Sequence, residues 1–221
     1  MSIPKKEPSL STGTRTGKRT GKTSHYFDPA PAVESHPRKV HLHVGELAIE
    51  LLADRGVFGS RGIDLGTLVL LREAPPPPAR GEILDLGSGY GPIAIALARQ
   101  APDARLWAVD VNERALELTK ANAAAAATPN VVTSSPDDVP ADLQFDAIYS
   151  NPPVRIGKAP LHDLLSRWLK RLRPGGRAYL VVQRNLGADS LATWLATQGY
   201  DVQRLKSKKG YRILEVASAG S

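Results

Sequence analysis

The sequence predicts an α/β fold, an open sheet with helices on both faces. Strands and helices alternate from Ile83 onward at the spacing of βαβ units. The first strand, Glu82 to Leu86, runs directly into a glycine-rich turn, Gly87 to Gly91. Pro92 then opens a helix, Ile93 to Arg99, at a first-turn position where its missing N–H costs nothing. Sheets of this kind bind ligands at the carboxyl ends of their strands.

The first 24 residues are predicted to form a basic, disordered arm. Serine, threonine and glycine dominate this segment, and large apolar residues are nearly absent, so it cannot offset the entropy of ordering. Its net charge is +5, of a total of +7, from one acid, Glu7, and six basic residues: Lys5, Lys6, Arg15, Lys18, Arg19 and Lys22. Attraction to nucleic-acid phosphates and a merely solvating tail are both open interpretations.

Residues 25–74 are expected to form an N-terminal β-lobe with a helix that packs on the core. Val40 to His43 and Leu47 to Leu51 flank Gly45 in a hairpin-like alternation of apolar residues. Four successive prolines then mark residues 75–80 as an extended connector. Residues 81–218 are predicted to be the ligand-binding domain.

The elements of that domain follow in order along the chain. Asn112 caps an alanine-rich helix, and Leu172 to Gly176 is predicted as a turn after the helix that starts near Pro160. The last two strands flank a basic turn and form an antiparallel pair at one edge. The predicted strands are Glu82–Leu86, Leu106–Val109, Asn130–Thr133, Phe145–Ser150, Arg177–Val182, Tyr200–Leu205 and Arg212–Val216, and the other helices are Glu113–Ala127 and Asp189–Thr197.

The glycine turn is expected to approach a ligand closely and to present free N–H groups. A dinucleotide fingerprint has glycine or alanine where this chain has Pro92, so the nicotinamide interpretation is weak. Asp85 suits a ligand that carries an ammonium group, which S-adenosylmethionine has. Besides Asp85, the predicted cofactor-binding residues of this turn are Gly87, Ser88, Gly89 and Gly91.

Two further acidic positions follow strands of the same sheet. Asp110, nineteen residues past Gly91, lies where a carboxylate binds ribose hydroxyls in nucleotide folds, with Val111 beside it. Asp137 lies in the turn after the next strand, with Asp138 beside it. The family resemblance given below implies that Asp137, or else Asp138, contacts the amino group of an adenine. A solvated acidic turn is the alternative for Asp137.

Asn151-Pro152-Pro153 ends the apolar run from Phe145 to Ser150 and predicts the chemistry. An exocyclic amine or a side-chain amide is a poor nucleophile while its lone pair is delocalised. The Asn151 oxygen and the Pro152 carbonyl can accept both amine hydrogens, and the prolines stiffen the turn. These three residues are the candidate catalytic residues, and neither a metal nor a covalent intermediate is needed.

From about His25 to Val216 the chain resembles the class I S-adenosylmethionine-dependent methyltransferases, with their Rossmann-like seven-stranded sheet, and among them the small-domain ribosomal RNA guanine methyltransferases. The resemblance implies ribosomal RNA or a ribosomal subunit as the partner, and Phe58 and Thr67 as cofactor neighbours. The motifs that carry it are His25–Phe27, Gly56–Phe58, Asp64–Thr67, Asp85–Pro92, Asn151–Lys158, Leu172–Gly176 and Lys209–Tyr211.

Val154 departs from the aromatic residue that related adenine and glutamine methyltransferases carry after Asn-Pro-Pro. An aliphatic side chain offers no π-face, which argues against adenine-specific DNA methylation. Stacking would then come from Phe58, Tyr90 or Tyr211. The predicted substrate-binding residues are Val154, Arg155, Lys158 and Tyr211, whereas His162 is expected to be a helix cap or a core contact.

The amino-acid composition indicates the class of protein and its cellular compartment. The 221 residues include no cysteine, which excludes a disulfide scaffold and a cysteine-based zinc site. There is no long apolar stretch and no secretory signal pattern, so we expect a soluble, cytoplasmic protein, monomeric and independent of membranes.

The leading interpretation is methylation of the guanine 2-amino group in ribosomal RNA. The alternatives are methylation of a protein glutamine and a catalytically silent RNA-binding or assembly factor. An antibiotic-resistance methyltransferase of the ribosome would look the same.

Overall fold

The computed structural model describes residues 33–218, which form a seven-stranded mixed sheet and a separate two-stranded hairpin. The predicted basic arm and the His25–Phe27 motif lie outside the described residues. The seven strands have the order β5-β4-β3-β6-β7-β9-β8. The predicted seven-stranded α/β sheet with a small N-terminal hairpin is therefore confirmed.

The elements have the following bounds. The strands are β1 Arg38–Val44, β2 Leu47–Ala53, β3 Arg80–Leu86, β4 Asp103–Val109, β5 Val131–Ser134, β6 Phe145–Ser150, β7 Leu172–Gln183, β8 Tyr200–Lys208 and β9 Tyr211–Ser218. The helices are α1 Leu65–Glu73, α2 Pro92–Gln100, α3 Glu113–Ala125, α4 Lys158–Leu169 and α5 Ala188–Thr197. No helix of residues 33–218 has the length and apolar character to span a membrane.

The sheet is covered on both faces because its central strands are apolar in both directions. Leu84 of β3 packs in a cluster with Trp168 of α4 and Leu191 of α5. Its neighbour Ile83 points to the other face and packs in a cluster with residues of α1 and α2, such as Leu70. Side-chain alternation along one strand thus joins two helical layers.

Local chemistry fixes both ends of helix α1. The Asp64 side chain caps it by accepting from the backbone N–H groups of Gly66 and Thr67. It ends at Ala74, which is extended, because a residue that precedes proline disfavours the helical region. The Tyr149 hydroxyl donates to the carbonyl of Pro75 at 2.9 Å and so fastens the proline connector to β6.

The segment from Leu172 to Gly176 differs from the prediction of a simple turn. Strand β7 already starts at Leu172, which pairs with Phe145, and the register then shifts so that Arg177 pairs with Ala147. The glycines allow this irregular crossing, since a Cβ on Gly176 would lie 3.0 Å from the Phe145 carbonyl oxygen. The predicted turn is a bulged start of the strand.

Candidate active site

A cleft of about 530 Å³ opens at the carboxyl ends of β3, β4, β6 and β7. Strand β3 pairs with β4 on one side and β6 on the other, so the chain reverses its direction of travel across the sheet here. This reversal is where open α/β sheets bind ligands. The cleft is lined by Phe58, Asp64, Gly87, Asp110, Asn151, Pro152, Pro153, Val154, Arg155, Ile156, Val181, Gln183, Leu186 and Tyr211.

The glycine turn is tight, and its N–H groups are used within the protein. Gly87, Gly89 and Gly91 all have positive φ, which explains glycine at alternate positions. The N–H groups of Gly87 and Ser88 donate to the Val109 carbonyl, and that of Gly89 donates to Asp110. The prediction that this turn presents free N–H groups is therefore wrong for these three residues. A turn with its donors already used is a poor pyrophosphate site.

Asp85 lies fully buried beneath this turn. Its Oδ2 accepts from the Ala94 N–H at 2.9 Å in the first turn of α2, whereas its Oδ1 has no partner within the described residues. Burial raises the pKa of Asp85 to about 8, and the nearby Asp110 acts in the same direction. The hydroxyl of Ser88 is also buried without a partner in this part of the chain. An orphaned carboxylate oxygen fits a cationic ammonium group or a water that bridges to one.

Asp110 forms the opposite wall of the turn and is 8% exposed. Its two oxygens accept from the N–H groups of Gly89 at 2.8 Å and Asn112 at 2.9 Å. Burial raises the pKa of Asp110, and the backbone N–H groups of Asn112, Gly89 and Val111 oppose that shift. The carboxylate keeps acceptor capacity for a further donor, such as a ribose hydroxyl.

Asn151 is held by Asp64, the cap of α1, and by Thr67 in its first turn. Its side-chain nitrogen donates to Asp64 Oδ2 at 2.7 Å and to Thr67 Oγ1 at 3.2 Å. Because an ionised carboxylate can only accept, the amide must face it with its nitrogen. Both amide hydrogens are thereby used, and Oδ1 has no partner among residues 33–218. It is available as an acceptor at the cleft.

The residues after Asn151 fold into a compact turn. The Val154 N–H donates to the Pro152 carbonyl at 2.8 Å, and Pro153 has the φ of −76° and ψ of 69° of an inverse γ-turn. One lone pair of the Pro152 carbonyl therefore remains. Ser150, just before, donates to the Leu86 carbonyl at 2.7 Å and joins the ends of β6 and β3. The turn is fixed from both sides.

The aromatic candidates for stacking separate into two kinds. Phe58 is 62% exposed and lines the cleft together with Tyr211. Tyr90 is buried, and its hydroxyl lies 3.4 Å from the Gly62 carbonyl oxygen, to which it donates. Only the first two offer a ring face to a ligand in this cleft.

Eight predicted site residues do not line the cleft. Thr67, Ser88 and Gly89 line a smaller pocket next to it, and Asp85 and Gly91 belong to the strand end and turn beneath it. The other three are Asp137, Lys158 and Val111.

The Asp137 side chain is 88% exposed and pairs with Arg167 of α4 at 2.8 Å, so its contact with adenine stays a prediction that requires this pair to open. Lys158 is exposed at the start of α4, and Val111 is half-buried next to Asp110. His162 stacks on Trp194 with ring centroids 3.7 Å apart and so joins α4 to α5. This packing contact agrees with the expectation that His162 is a cap or core residue.

Asp64, Gln183 and Leu186 all line the cleft, although the sequence patterns assigned them no role. A signal existed for Gln183, since β7 runs parallel to β6 and its carboxyl end must reach the edge that carries Asn151. Asp64 belongs to a recognisable motif, but nothing in its spacing links it to Asn151.

The chain matches a known protein family over most of its length. The profile of the family described as "methyltransferase small domain" matches residues 48–215. The chain belongs to this family. The S-adenosylmethionine-dependent methyltransferase class predicted from the motifs is thereby confirmed, with S-adenosylmethionine as the cofactor of the class.

Two known bacterial proteins illustrate what this chain is similar to. YbxB of Bacillus subtilis, described as uncharacterized, is 32% identical over 196 residues, which are 87% of this chain and 98% of YbxB. Ribosomal RNA small subunit methyltransferase C of Shewanella amazonensis is 33% identical over 160 residues, 71% of this chain and 46% of that protein.

A solved structure is also similar: a T. thermophilus 16S rRNA N2-guanine methyltransferase in complex with AdoMet and guanosine. Its TM-score is 0.69 at 25% identity, over 85% of this chain and 52% of that chain. The chain thus spans about half the length of the ribosomal RNA methyltransferases that it matches.

Proposed function

We propose that the protein transfers a methyl group from S-adenosylmethionine to an exocyclic amine of a base in ribosomal RNA, the 2-amino group of guanine. The observation that carries the proposal is the orientation of Asn151. Its amide nitrogen is bound by Asp64 and Thr67, and its oxygen is left as an acceptor in the cleft that Asp110 also lines.

The cofactor part of the proposal rests on the two buried carboxylates. Asp110 would accept the ribose hydroxyls, and Asp85 Oδ1 would receive the ammonium group directly or through water. When bound, S-adenosylmethionine supplies an electrophilic methyl group on a sulfonium sulfur. The remaining cofactor neighbours that we propose are Phe58, Thr67, Gly87, Ser88, Gly89, Gly91 and Val111.

The chemical task of the catalytic turn is to prepare a nitrogen. The Asn151 oxygen and the free lone pair of the Pro152 carbonyl accept the two amine hydrogens and favour a pyramidal nitrogen whose lone pair points at the methyl group. Holding the two reactants in line replaces a bimolecular encounter. The amine releases one proton to solvent after the transfer, so no strong base is required.

The substrate part of the proposal concerns how the base enters. A guanine splayed from its stack would lie on Val154 and against the ring of Phe58 or Tyr211. Arg155 lines the cleft and Lys158 follows three residues later, where both can attract the flanking phosphates. We place the enzyme on the ribosome or its RNA in the cytoplasm, as a monomer.

The choice of guanine N2 is supported by the relatives. The T. thermophilus enzyme is an N2-guanine methyltransferase of 16S rRNA, and its structure was solved with guanosine. The Shewanella relative carries a ribosomal RNA small subunit methyltransferase name. Val154 supports the same choice, because it provides no ring for the adenine or glutamine chemistry described above.

The test is transfer of radiolabelled methyl groups to small subunits, large subunits and protein-free ribosomal RNA, followed by digestion to nucleosides. Wild type is compared with Asn151→Ala and with Gln100→Ala, a matched control in which an exposed amide is removed at the far end of α2. We expect label in N2-methylguanosine from wild type and Gln100→Ala but not from Asn151→Ala.

Three other results of this labelling experiment would change the proposal. Label in another nucleoside would keep the RNA methyltransferase and change the target atom. Label only in a protein glutamine would replace the RNA proposal. No label despite measurable binding of S-adenosylmethionine would favour the silent assembly factor.

A further inference from the structure

A second concave surface lies beside the hairpin, away from the cleft just described. It is an open groove of about 580 Å³ between the edge of β1, the loop that precedes α1, and α1 itself. We call it the hairpin groove. It is lined by Arg38, Lys39, Val40, His41, His43, Arg61, Gly62, Ile63, Leu68 and Arg72.

The charged side chains that line the hairpin groove are all basic. Its lining residues include four lysine or arginine side chains and two histidines, and none of them is acidic. Lys39 pairs with Glu50 at 2.8 Å, and Arg72 donates to the His43 carbonyl at 3.0 Å. Arg38 and Arg61 are exposed and form no ion pair within the described residues. Unpaired arginines on a concave surface attract anions.

The length of the groove and its rings indicate the kind of anion. From Arg38 to His43 the edge strand extends about 17 Å at about 3.4 Å per residue, which is longer than one isolated phosphate requires. The rings of His41 and His43 lie side by side on this strand, with centroids 6.4 Å apart. Basic side chains interleaved with ring faces are characteristic of surfaces that bind unpaired nucleotides. The adjacent rings therefore favour a nucleic-acid strand over an acidic peptide.

The groove is also connected to the cleft by short, rigid links. Arg61 follows Phe58 by three residues in the same loop, and that loop is held by the hydrogen bond from Tyr90 to Gly62. Arg72 is eight residues beyond Asp64 on α1, about 12 Å along the helix axis. A strand whose target base occupies the cleft therefore has neighbouring nucleotides within reach of the groove.

We infer that the hairpin groove binds the single-stranded or loop segment of RNA that flanks the target nucleotide. Arg38 and Arg61 would contact phosphates, and the two histidine rings would contact bases. This inference rests on the proposed function, because it assumes that the substrate is RNA.

The experiment compares two double charge reversals that change the net charge equally. Arg38→Glu/Arg61→Glu alters the groove, whereas Lys120→Glu/Lys170→Glu alters two exposed lysines outside it. Binding of protein-free ribosomal RNA is measured by filter retention at several salt concentrations. Affinity for S-adenosylmethionine and thermal unfolding report whether each variant is intact.

We expect the groove variant to bind RNA roughly tenfold more weakly than the control variant, with the salt slope reduced by about 0.7 to 0.9 for each phosphate that is no longer neutralised. His41→Ala/His43→Ala should weaken binding about five- to tenfold at unchanged salt slope, because stacking involves no counterion release. Cofactor affinity should be the same in all variants.

Equal RNA affinity and equal salt slope in the groove and control variants would overturn the hairpin groove as a binding surface. If wild type methylates RNA in that case, the proposed function stands and only the groove fails. If wild type neither binds nor methylates RNA, both proposals fail together.

Discussion

The side-chain nitrogen of Asn151 lies 2.7 Å from Asp64 Oδ2, an acceptor 87 residues earlier in the chain. The same oxygen caps α1 through Gly66 at 2.8 Å and Thr67 at 3.3 Å. One carboxylate therefore fixes both the start of a helix and the orientation of an amide in the cleft. The packing of α1 against the sheet sets the direction of the Asn151 oxygen.

Replacing Asp64 should separate these two tasks. Asp64→Ser keeps a good helix cap, so stability should change by no more than about 1 kcal/mol. Serine is too short to hold Asn151, and a misplaced acceptor should lower kcat roughly 100-fold at unchanged cofactor affinity. Single-turnover methyl transfer and calorimetric titration of S-adenosylmethionine measure the two quantities. Wild-type kcat in Asp64→Ser would show that Asn151 needs no such support.

Gly66 should be sensitive to one added methyl group. A Cβ there would lie 2.9 Å from both Asp64 Oδ2 and Tyr211 Cε1, and 3.2 Å from the Asn151 nitrogen. Gly66→Ala should lower methyl transfer at least tenfold, even though alanine favours a helix by up to about 1 kcal/mol. Gly45→Ala is the converse control, because its Cβ meets nothing within 4 Å but its φ is +57°. That variant should lose about 1 kcal/mol of stability and no activity. Equal activity in the two variants would contradict the prediction.

Asp85 should make cofactor binding depend on pH. Its pKa in the free protein is about 8, so the carboxyl is mostly neutral at pH 7, and an ammonium group needs it charged. Affinity for S-adenosylmethionine should rise by up to about tenfold per pH unit from pH 6 to 8 and then level off. Asp85→Asn should bind more weakly and lose this part of the slope. Calorimetric titrations of both proteins across pH 6 to 9 make the comparison, and identical slopes would exclude Asp85.

The same carboxyl should affect stability in the opposite direction. A carboxyl whose pKa is raised on folding contributes stability that is present below its unfolded pKa, near 3.8, and is lost as the pH rises through about 8. The free energy of unfolding of the free protein, measured relative to Asp85→Asn, should therefore fall between pH 6 and pH 9. Denaturant titrations at both values test this. A constant difference between the two proteins would mean that Asp85 does not titrate in this range.

Alanine substitutions at Asp110 and Asn151 should impair different properties, cofactor affinity in the first and turnover in the second. Asp110→Ala removes the acceptor that we assign to ribose and should weaken cofactor binding by about 2 kcal/mol, roughly 30-fold. Asn151→Ala should keep cofactor affinity within about threefold and lose most of its turnover. Equilibrium binding and single-turnover rates separate the two effects. Equal loss of cofactor affinity in both variants would refute this division of roles.

The sheet and the meeting of two motifs could be predicted from the sequence, because strand ends follow a general rule. Gly87 follows β3 and Asn151 follows β6, and adjacent parallel strands bring their carboxyl ends to one edge. The contact of Asp64 with Asn151 could not be predicted in this way. It depends on how α1 packs from outside the sheet, and no periodicity records that packing.

Local patterns were also misleading where a tertiary partner decides the outcome. The glycine turn looked rich in free donors, but the Val109 carbonyl and Asp110 use those of Gly87, Ser88 and Gly89. Asp137 follows its strand as expected, yet its side chain is exposed and forms an ion pair with Arg167 of α4. Neither partner is near in sequence.

The position of β9 has a consequence for the newly made protein. This strand lies between β7 and β8, although it is made after both, and it brings Tyr211 to the cleft. A growing chain that already contains the glycine turn and Asn151 thus lacks one wall of the cleft until β9 inserts beside β7. We expect methyl transfer to begin only after synthesis has passed β9, because the cleft is complete only when Tyr211 has joined its wall.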